Sequence, residues 1–561
     1  DQATEAKKVE PKFAPRRDSI TAPHFVLFVK DWLVTYFTKE LGDAQVAEQK
    51  VESGGFDVVT TLDLPKQQEA ERIVSAAAGK TLKNAGASNA ALVTIDPKRG
   101  EVIAMVGSVD YFQEQFGAFN VATASRQPGS SFKPIVYSAA FKEKYNPATT
   151  LFDLRTDFGK YIPDNFDGGF RGPVTIRQAL GNSLNIPAVK ILGLVGIDDA
   201  LKNASDLGIT TLTDKDRYGL SLVLGGGEVK LTEMTTAYGV FAAGGVLMPT
   251  TPILKITDSK QKVIYTHEDP KDGRQVLDPQ IAYQISNVLS DVEAKKPTFG
   301  RTLGVLTLQG RPAASKTGTT DAFRDAWTMG YTPQYVTGVW AGNNDNTSMN
   351  RAGGSVAAAP IWDAFMEYLH KDLPVEQFSR PAGIRDVTVD RLSNKLPVDG
   401  SETITDIFAS WQVPTEKDDV HVRVRVCKEN GLLADASIPD ELTEDRTYTN
   451  IHSEKPNNPN WEGPVLAWAN ANGFNNRPPT EKCQAGNVQP SVEITSPTND
   501  QEVTGQFTIS VSASAPSGVR QVELTIDNIS IGVITSSPYQ MSYNAGLLAD
   551  GDHKLQATVT S

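Results

Sequence analysis

Along the first 54 residues a charged stretch gives way to an amphipathic one that ends at Ser53-Gly54-Gly55, so 1–54 reads as a linker or docking segment. From Phe56 the pattern changes. FDVVTTLDL alternates apolar and polar positions as a half-buried strand does, and a polar helix is expected from Pro65. ALVTIDPKRGEVIAMVGS then reads as two strands joined by a turn at Asp96-Pro97-Lys98-Arg99-Gly100. Helix-period stretches such as 133–144 and 187–195 follow, between strand-like ones such as 334–341, to about residue 370. Residues 55–375 are therefore expected to form a mixed block of helices and strands, the only part able to house an enzyme core.

Residues 376–488 are richer in Pro, Asn and charge, with one clear alternating strand, VHVRVRV at 420–426, and turn signals such as NNPNWEGP. They read as a β-rich accessory segment. In 489–561, Val492/Ile494, Phe507/Ile509/Val511, Val522/Leu524/Ile526 and Leu555/Ala557/Val559 each recur at period two between turn residues. Short strands at that spacing predict a β-sandwich of immunoglobulin type, expected to be cut short at Ser561.

Composition narrows the function only at its edges. The chain has 561 residues, 39% of them hydrophobic and 22% charged, which is ordinary for a folded protein of several domains. Its 54 Lys+Arg against 67 Asp+Glu leave a net charge of -13, against nucleic-acid binding, which needs a basic face. No apolar run is long enough to span a bilayer, and Phe25 to Phe37 is broken by Lys30 and Asp31. No signal peptide is visible, and the chain reads as a fragment of something longer. Its two cysteines, Cys427 and Cys483, fit either a disulfide or two unrelated thiols, and neither belongs to a C-x-x-C pair.

Three short motifs carry candidate chemistry: Ser130-Ser131-Phe132-Lys133, Ser183-Leu184-Asn185 and Lys316-Thr317-Gly318. Singly, the first two are weak, because S-x-x-K recurs at Ser259 to Lys262 and S-x-N at Ser348 to Asn350 and Ser542 to Asn544. K-T-G occurs once. Pro128-Gly129 followed by Phe132, Ile135, Val136, Ala139 and Ala140 puts Ser130 at a helix N-terminus with Lys133 one turn on. A serine there becomes a nucleophile once a neighbouring desolvated amine takes its proton. Taken alone, the same residues could be an N-cap and a solvated lysine. VTIRQALGNS reads as a helix ending near Gly181-Asn182, which leaves Ser183 and Asn185 on a loop, either as proton relay and amide grip or as ordinary caps. AASKTGTT reads as a strand, where Gly318 would let a substrate backbone lie close and Lys316, Thr317 and Thr319 would face a carboxylate. A plain edge strand guarded by lysine is the alternative. Gly225-Gly226-Gly227 is expected to be a tight turn before a helix from Leu231.

Together the motifs supply a nucleophile, an amine, a hydroxyl, an amide and a cation, in the order found in serine penicillin-recognising enzymes. ITAPHFV (20–26), GGFDVVTTLD (54–63), GSSFKP (129–134), SLNIPAVK (183–190), LGGGEVKLTEMTTAYGVFAAGG (224–245) and KTGTTDAFRDAWTMGYTP (316–333) resemble class A penicillin-binding proteins over residues 20–375. β-Lactamases are smaller and usually lack the first two stretches. The resemblance implies an α+β transpeptidase fold, like that of serine β-lactamases, with a five-stranded antiparallel sheet between helical layers. It implies D,D-transpeptidation of peptidoglycan stem peptides, with Ser130 acylated, Lys133 as base, Ser183 relaying a proton and Asn185 gripping the peptide. Lys316 would set the electrostatics, Thr317 and Thr319 would bind the substrate carboxylate, and the N–H groups of Ser130 and Thr319 would form the oxyanion hole. β-Lactams would acylate the same serine. No metal or cofactor is implied, and cell-wall, divisome or elongation proteins are conceivable partners. The expected location is extracytoplasmic, membrane-anchored in a full-length parent. Complete class A proteins carry a membrane helix and a glycosyltransferase domain before the APHFV stretch; neither is in this sequence, and glycan polymerisation is not implied for it.

Two other readings stand beside it. Water in place of the acceptor amine would make the site a D,D-carboxypeptidase or endopeptidase. An inert cleft would make the chain a wall-binding or β-lactam-sensing protein. A Ser-His-Asp hydrolase fits less well, since none of the six histidines lies in the motif regions and no G-x-S-x-G surrounds Ser130. H-E-x-x-H spacing is absent too.

Overall fold

The computed structural model describes residues 20–267, 273–483, 490–515 and 518–561, and resolves into two compact units. The first comprises the described residues up to Pro397, with Glu402–Glu416 and Ser453–Pro464; the second comprises Val398–Ser401, Lys417–His452 and the described residues from Val465. The stretch 376–488, uniform in composition, is thus divided between them. Composition records turn content, whereas the division follows which segments bury their side chains together.

The first unit is built on five strands: β1 (Asn89–Ile95), β2 (Val102–Val106), β3 (Ala314–Thr319), β4 (Asp325–Tyr331) and β5 (Val336–Gly342). They pair antiparallel throughout in the order β3-β4-β5-β1-β2. Because side chains alternate across a strand, the sheet sorts them into two cores. Ala91, Val93, Ile95, Trp327, Met329, Tyr331 and Trp340 face one, with helices Lys133–Lys142, Leu231–Ala242 and Pro279–Ser290. Ala90, Leu92, Ala326, Val339 and Ala341 face the other, with helices Leu64–Ala77 and Ala359–His370. β1, β4 and β5 are buried along their whole length, so they read as apolar runs more than as alternating strands.

The amphipathic N-terminal stretch is a helix, Pro23–Leu41, that buries Phe25, Val29, Leu33 and Phe37 at four-residue intervals into the first core. Part of the 1–54 segment lies outside the described residues. FDVVTTLDL supplies the strand Asp57–Thr60, paired with Ile253–Thr257. No described helix is long and apolar enough to cross a membrane.

In the second unit, His421–Cys427 pairs with Thr443–Thr449, and a disulfide joins Cys427 to Cys483 in a small core with Ile438 and Leu442. Six strands then form two three-stranded sheets, Ser491–Ser496 with Gln506–Ser514 and Tyr539–Asn544, and Ile529–Ile534 with Gln521–Ile526 and Leu555–Thr560. Ile509, Val511, Val522 and Leu524 are buried between them. The strand 529–534 escapes pattern reading because it buries little and out of step, with Ile529 71% exposed, whereas 539–544, also unread, does alternate through the partly buried Tyr539, Met541 and Tyr543.

Candidate active site

The site gathers where the helix Lys133–Lys142 begins. Gly129–Phe132 is a single 3-10 turn carrying Ser130, and the Lys133 N–H donates to the Ser130 carbonyl as the α-helix takes over. That helix is buried on every side, not only along the stripe the sequence suggests, since it runs between the layers. Three fixings hold the turn. The Ser131 hydroxyl donates to the Pro128 carbonyl at 2.7 Å, Tyr238 Oη donates to the Ser131 carbonyl at 2.6 Å, and Trp327 Nε1 donates to the Gln127 carbonyl at 2.8 Å. Ser130 itself is partly exposed, and no described residue hydrogen-bonds its hydroxyl.

Close backbone approach explains two glycines. A Cβ at Gly318 would lie 2.2 Å from the Pro128 carbonyl oxygen and 3.1 Å from Ser131 Cβ. The bare position on β3 therefore admits the turn that carries Ser130, where the sequence suggested room for a substrate backbone. Gly225 has φ +90, and a Cβ there would lie 2.1 Å from Gly129 N. The triple-glycine turn does precede the helix at Leu231, but it also backs directly onto the Ser130 turn. Its place inside LGGGEVKLTEM was the only signal for this.

The Lys133 amine is fully buried, with four oxygens in hydrogen-bond reach: the Ser183 carbonyl at 2.6 Å, the Leu184 carbonyl at 3.0 Å, Asn185 Oδ1 at 2.8 Å and the Ser183 hydroxyl at 3.4 Å. Burial, then the charge of Lys316, holds it well below the usual lysine range, with Asp153 opposing. Ser183 adopts a left-handed conformation, φ +59, between helices Ile176–Gly181 and Asn185–Val195. Its hydroxyl lies between two amines, 2.7 Å from Lys316 Nζ and 3.4 Å from Lys133 Nζ. Asn185 is not on the loop but opens the next helix. Its Oδ1 holds Lys133 and its Nδ2 donates to the Asp164 carbonyl at 2.8 Å, so here the amide positions the lysine.

On β3, Lys316 Nζ also donates to the Thr317 carbonyl at 2.9 Å. Burial and then the charge of Lys295 push its pKa down to about 7. The Thr317 side chain meets no described hydrogen-bond partner, while Thr319 Oγ1 accepts from the Gly354 N–H at 3.2 Å. Thr319 backs onto the Ser130 turn, for a Cβ on Gly129 would lie 2.5 Å from its carbonyl oxygen. The three motifs thus meet in one place, with Lys133, Ser183, Asn185 and Lys316 linked by hydrogen bonds and the Ser130 turn seated against β3.

Two further groups carry no motif and went unread in the sequence. Asn165 accepts from the Asn185 N–H at 2.8 Å and donates to Asp153 Oδ1 at 2.7 Å. Lys295, buried, donates to Ser315 Oγ at 2.7 Å, and burial pushes its pKa down to about 7 against the pull of Asp291. An asparagine in a polar loop and a lysine in a polar helix give no sequence sign of such burial.

Comparison with known proteins finds relatives of two parts of the chain. The penicillin binding protein transpeptidase domain matches residues 90–367, and a bacterial Ig domain matches 490–557. Penicillin-binding protein 2D of Bacillus subtilis (strain 168) is 32% identical over 381 residues, covering 66% of this chain and 52% of its own. The solved penicillin-binding protein PonA1 from Mycobacterium tuberculosis is 25% identical, with a TM-score of 0.56 over 65% of this chain and 96% of that one. PonA1 in complex with penicillin V is also 25% identical, with a TM-score of 0.55 over 64% and 96%. The chain spans about half the length of the curated relatives it matches. The chain therefore belongs to the penicillin-binding protein family, with its transpeptidase domain over 90–367 and a bacterial Ig domain at 490–557.

Proposed function

We propose that the chain is a serine D,D-transpeptidase that cross-links peptidoglycan stem peptides through an acyl-enzyme on Ser130, on the extracytoplasmic side where peptidoglycan lies. The observation that carries this reading is the Lys133 amine, stripped of water and held by the 183–185 segment one turn from a hydroxyl that no described residue occupies. Burial and the Lys316 charge favour loss of its proton, and the amine so freed is a base.

In this reading Ser130 Oγ attacks the carbonyl of the penultimate D-alanine and its proton passes to Lys133. The N–H groups of Ser130 and Thr319 receive the oxyanion, a contribution on the order of 3 kcal/mol per donor in comparable sites. The C–N bond then breaks. Ser183, in reach of both lysines, passes a proton to the departing amine, and D-alanine leaves an ester on Ser130. Thr317, Thr319 and the Lys316 cation take the terminal carboxylate before cleavage. An amine of a second stem peptide attacks the ester, gives the cross-linking amide and returns the proton to Ser130. A β-lactam would open on the same hydroxyl without releasing a fragment, and the mycobacterial relative solved with penicillin V supports that expectation.

Incubation with a depsipeptide mimic of the stem-peptide end, with and without a D-amino acid acceptor, tests the assignment. Amide product growing at the expense of acid as acceptor rises is expected. Acid alone at every acceptor concentration would replace transpeptidase with carboxypeptidase.

A further inference from the structure

Glu454 stands 302 positions beyond Phe152 in the sequence, yet its carboxylate closes on the active-site unit. Oε1 accepts from the Phe152 N–H at 2.7 Å, and Oε2 accepts from Lys190 Nζ at 2.7 Å. The Lys190 side chain is completely buried and lies between the rings of Trp461 and Phe152, 5.3 and 5.9 Å from their centroids. The same segment makes further attachments. Lys455 Nζ donates to the Gly193 carbonyl at 2.7 Å, and the Trp461 ring would meet a Cβ on Gly193 at 3.4 Å.

The two elements it joins are those that carry the lysine's support. Phe152 and Asp153 end the strand Thr150–Asp153, and Asn185 opens the helix Asn185–Val195 that bears Lys190. Asp153 grips Asn165, Asn165 grips the Asn185 N–H, and Asn185 Oδ1 grips Lys133. A buried ammonium without a counter-charge is strongly unfavourable, so Lys190 needs Glu454 to remain inside.

We propose that Glu454, borne by the segment Ser453–Pro464, is a positioning residue for acylation. It locks the 150–153 strand to the 185–195 helix so that the Asp153–Asn165–Asn185 chain holds the Lys133 amine in place. The proposal rests on the reading of Ser130 and Lys133 given above. It makes a stretch outside the matched transpeptidase residues part of the support of its active site.

The test is acylation of the full chain by a fluorescent penicillin, with burst amplitude and rate constant read separately. Glu454→Gln keeps an oxygen for Phe152 but leaves Lys190 without a counter-charge. Its rate constant should fall about tenfold at near-parental amplitude, because small misplacements at a reacting centre are costly. Asn165→Ala should produce a similar fall, and the double variant no further loss, since both break one chain. A rate constant within about twofold of the parent would overturn the proposal, as would a loss confined to amplitude or losses that multiply in the double variant. If Glu454→Gln does not fold, Lys190→Met, which removes the buried charge, is read by the same criteria. A parent chain that is not acylated would overturn the reading of Ser130 itself, and the clamp with it.

Discussion

At Lys133 and Lys316 the same desolvation serves opposite ends. In the proposed reaction Lys133 takes the Ser130 proton, and burial followed by the Lys316 charge lowers its pKa, the direction that favours the free amine. Lys316 must be charged to meet a carboxylate, and its pKa of about 7 means that charge is lost as pH rises through neutrality. The acylation rate should therefore fall on the alkaline side near pH 7, measured as the second-order rate constant for penicillin from pH 5 to 9. Lys295→Met removes a positive neighbour of Lys316, so the alkaline limb should move upward. A limb that stays put would mean another group sets it. Gly318→Ala makes a steric test: its Cβ would meet the Pro128 oxygen, so the Ser130 turn must shift. We expect about a hundredfold loss of acylation with the chain still folded, checked by stopped-flow and circular dichroism.

Among the elements, the helix Val292–Phe299 illustrates how burial overrides appearance. It brings Lys295 to Ser315, one residue from Lys316, and caps itself with Asp291. A lysine whose folded pKa is depressed binds fewer protons folded than unfolded between about 7 and its ordinary 10.5. Stability therefore rises with pH across that window, and the cost of burying the amine is fully present below it. Lys295→Met should stabilise the chain at pH 7 by on the order of 1–3 kcal/mol, with the gain shrinking towards pH 10.5, measured by urea unfolding. An equal gain at both pH values would contradict the burial argument. The same scale shows what the sequence made legible. The Ser130 turn, β3 and the helix from Leu231 follow from glycine, proline and apolar spacing. Asn185 opening a helix, and Asp153, Asn165 and Lys295 in the site, do not. Their roles come from long-range contacts between polar residues, which leave no periodic trace. Of the two unread Ig strands, 529–534 buries too irregularly to show alternation, whereas 539–544 does alternate through Tyr539, Met541 and Tyr543.

Over the whole molecule, chemistry and accessory structure are separable in different degrees. The transpeptidase residues hold both cores of the sheet, whereas Cys427–Cys483 staples a core of only a few side chains. The disulfide closes a loop of 56 residues, so reduction should destabilise that unit by about 4 kcal/mol. The penicillin acylation rate should be unchanged, read on the same sample before and after reduction. The central claim is that Ser130 is the acylated atom's residue, and intact mass after benzylpenicillin, on the parent chain and on Ser130→Ala, tests it most directly. One adduct on the parent, mapped to the peptide containing Ser130 and absent from Ser130→Ala, is the predicted result. An adduct that persists on Ser130→Ala, or a folded parent that takes none, would contradict it.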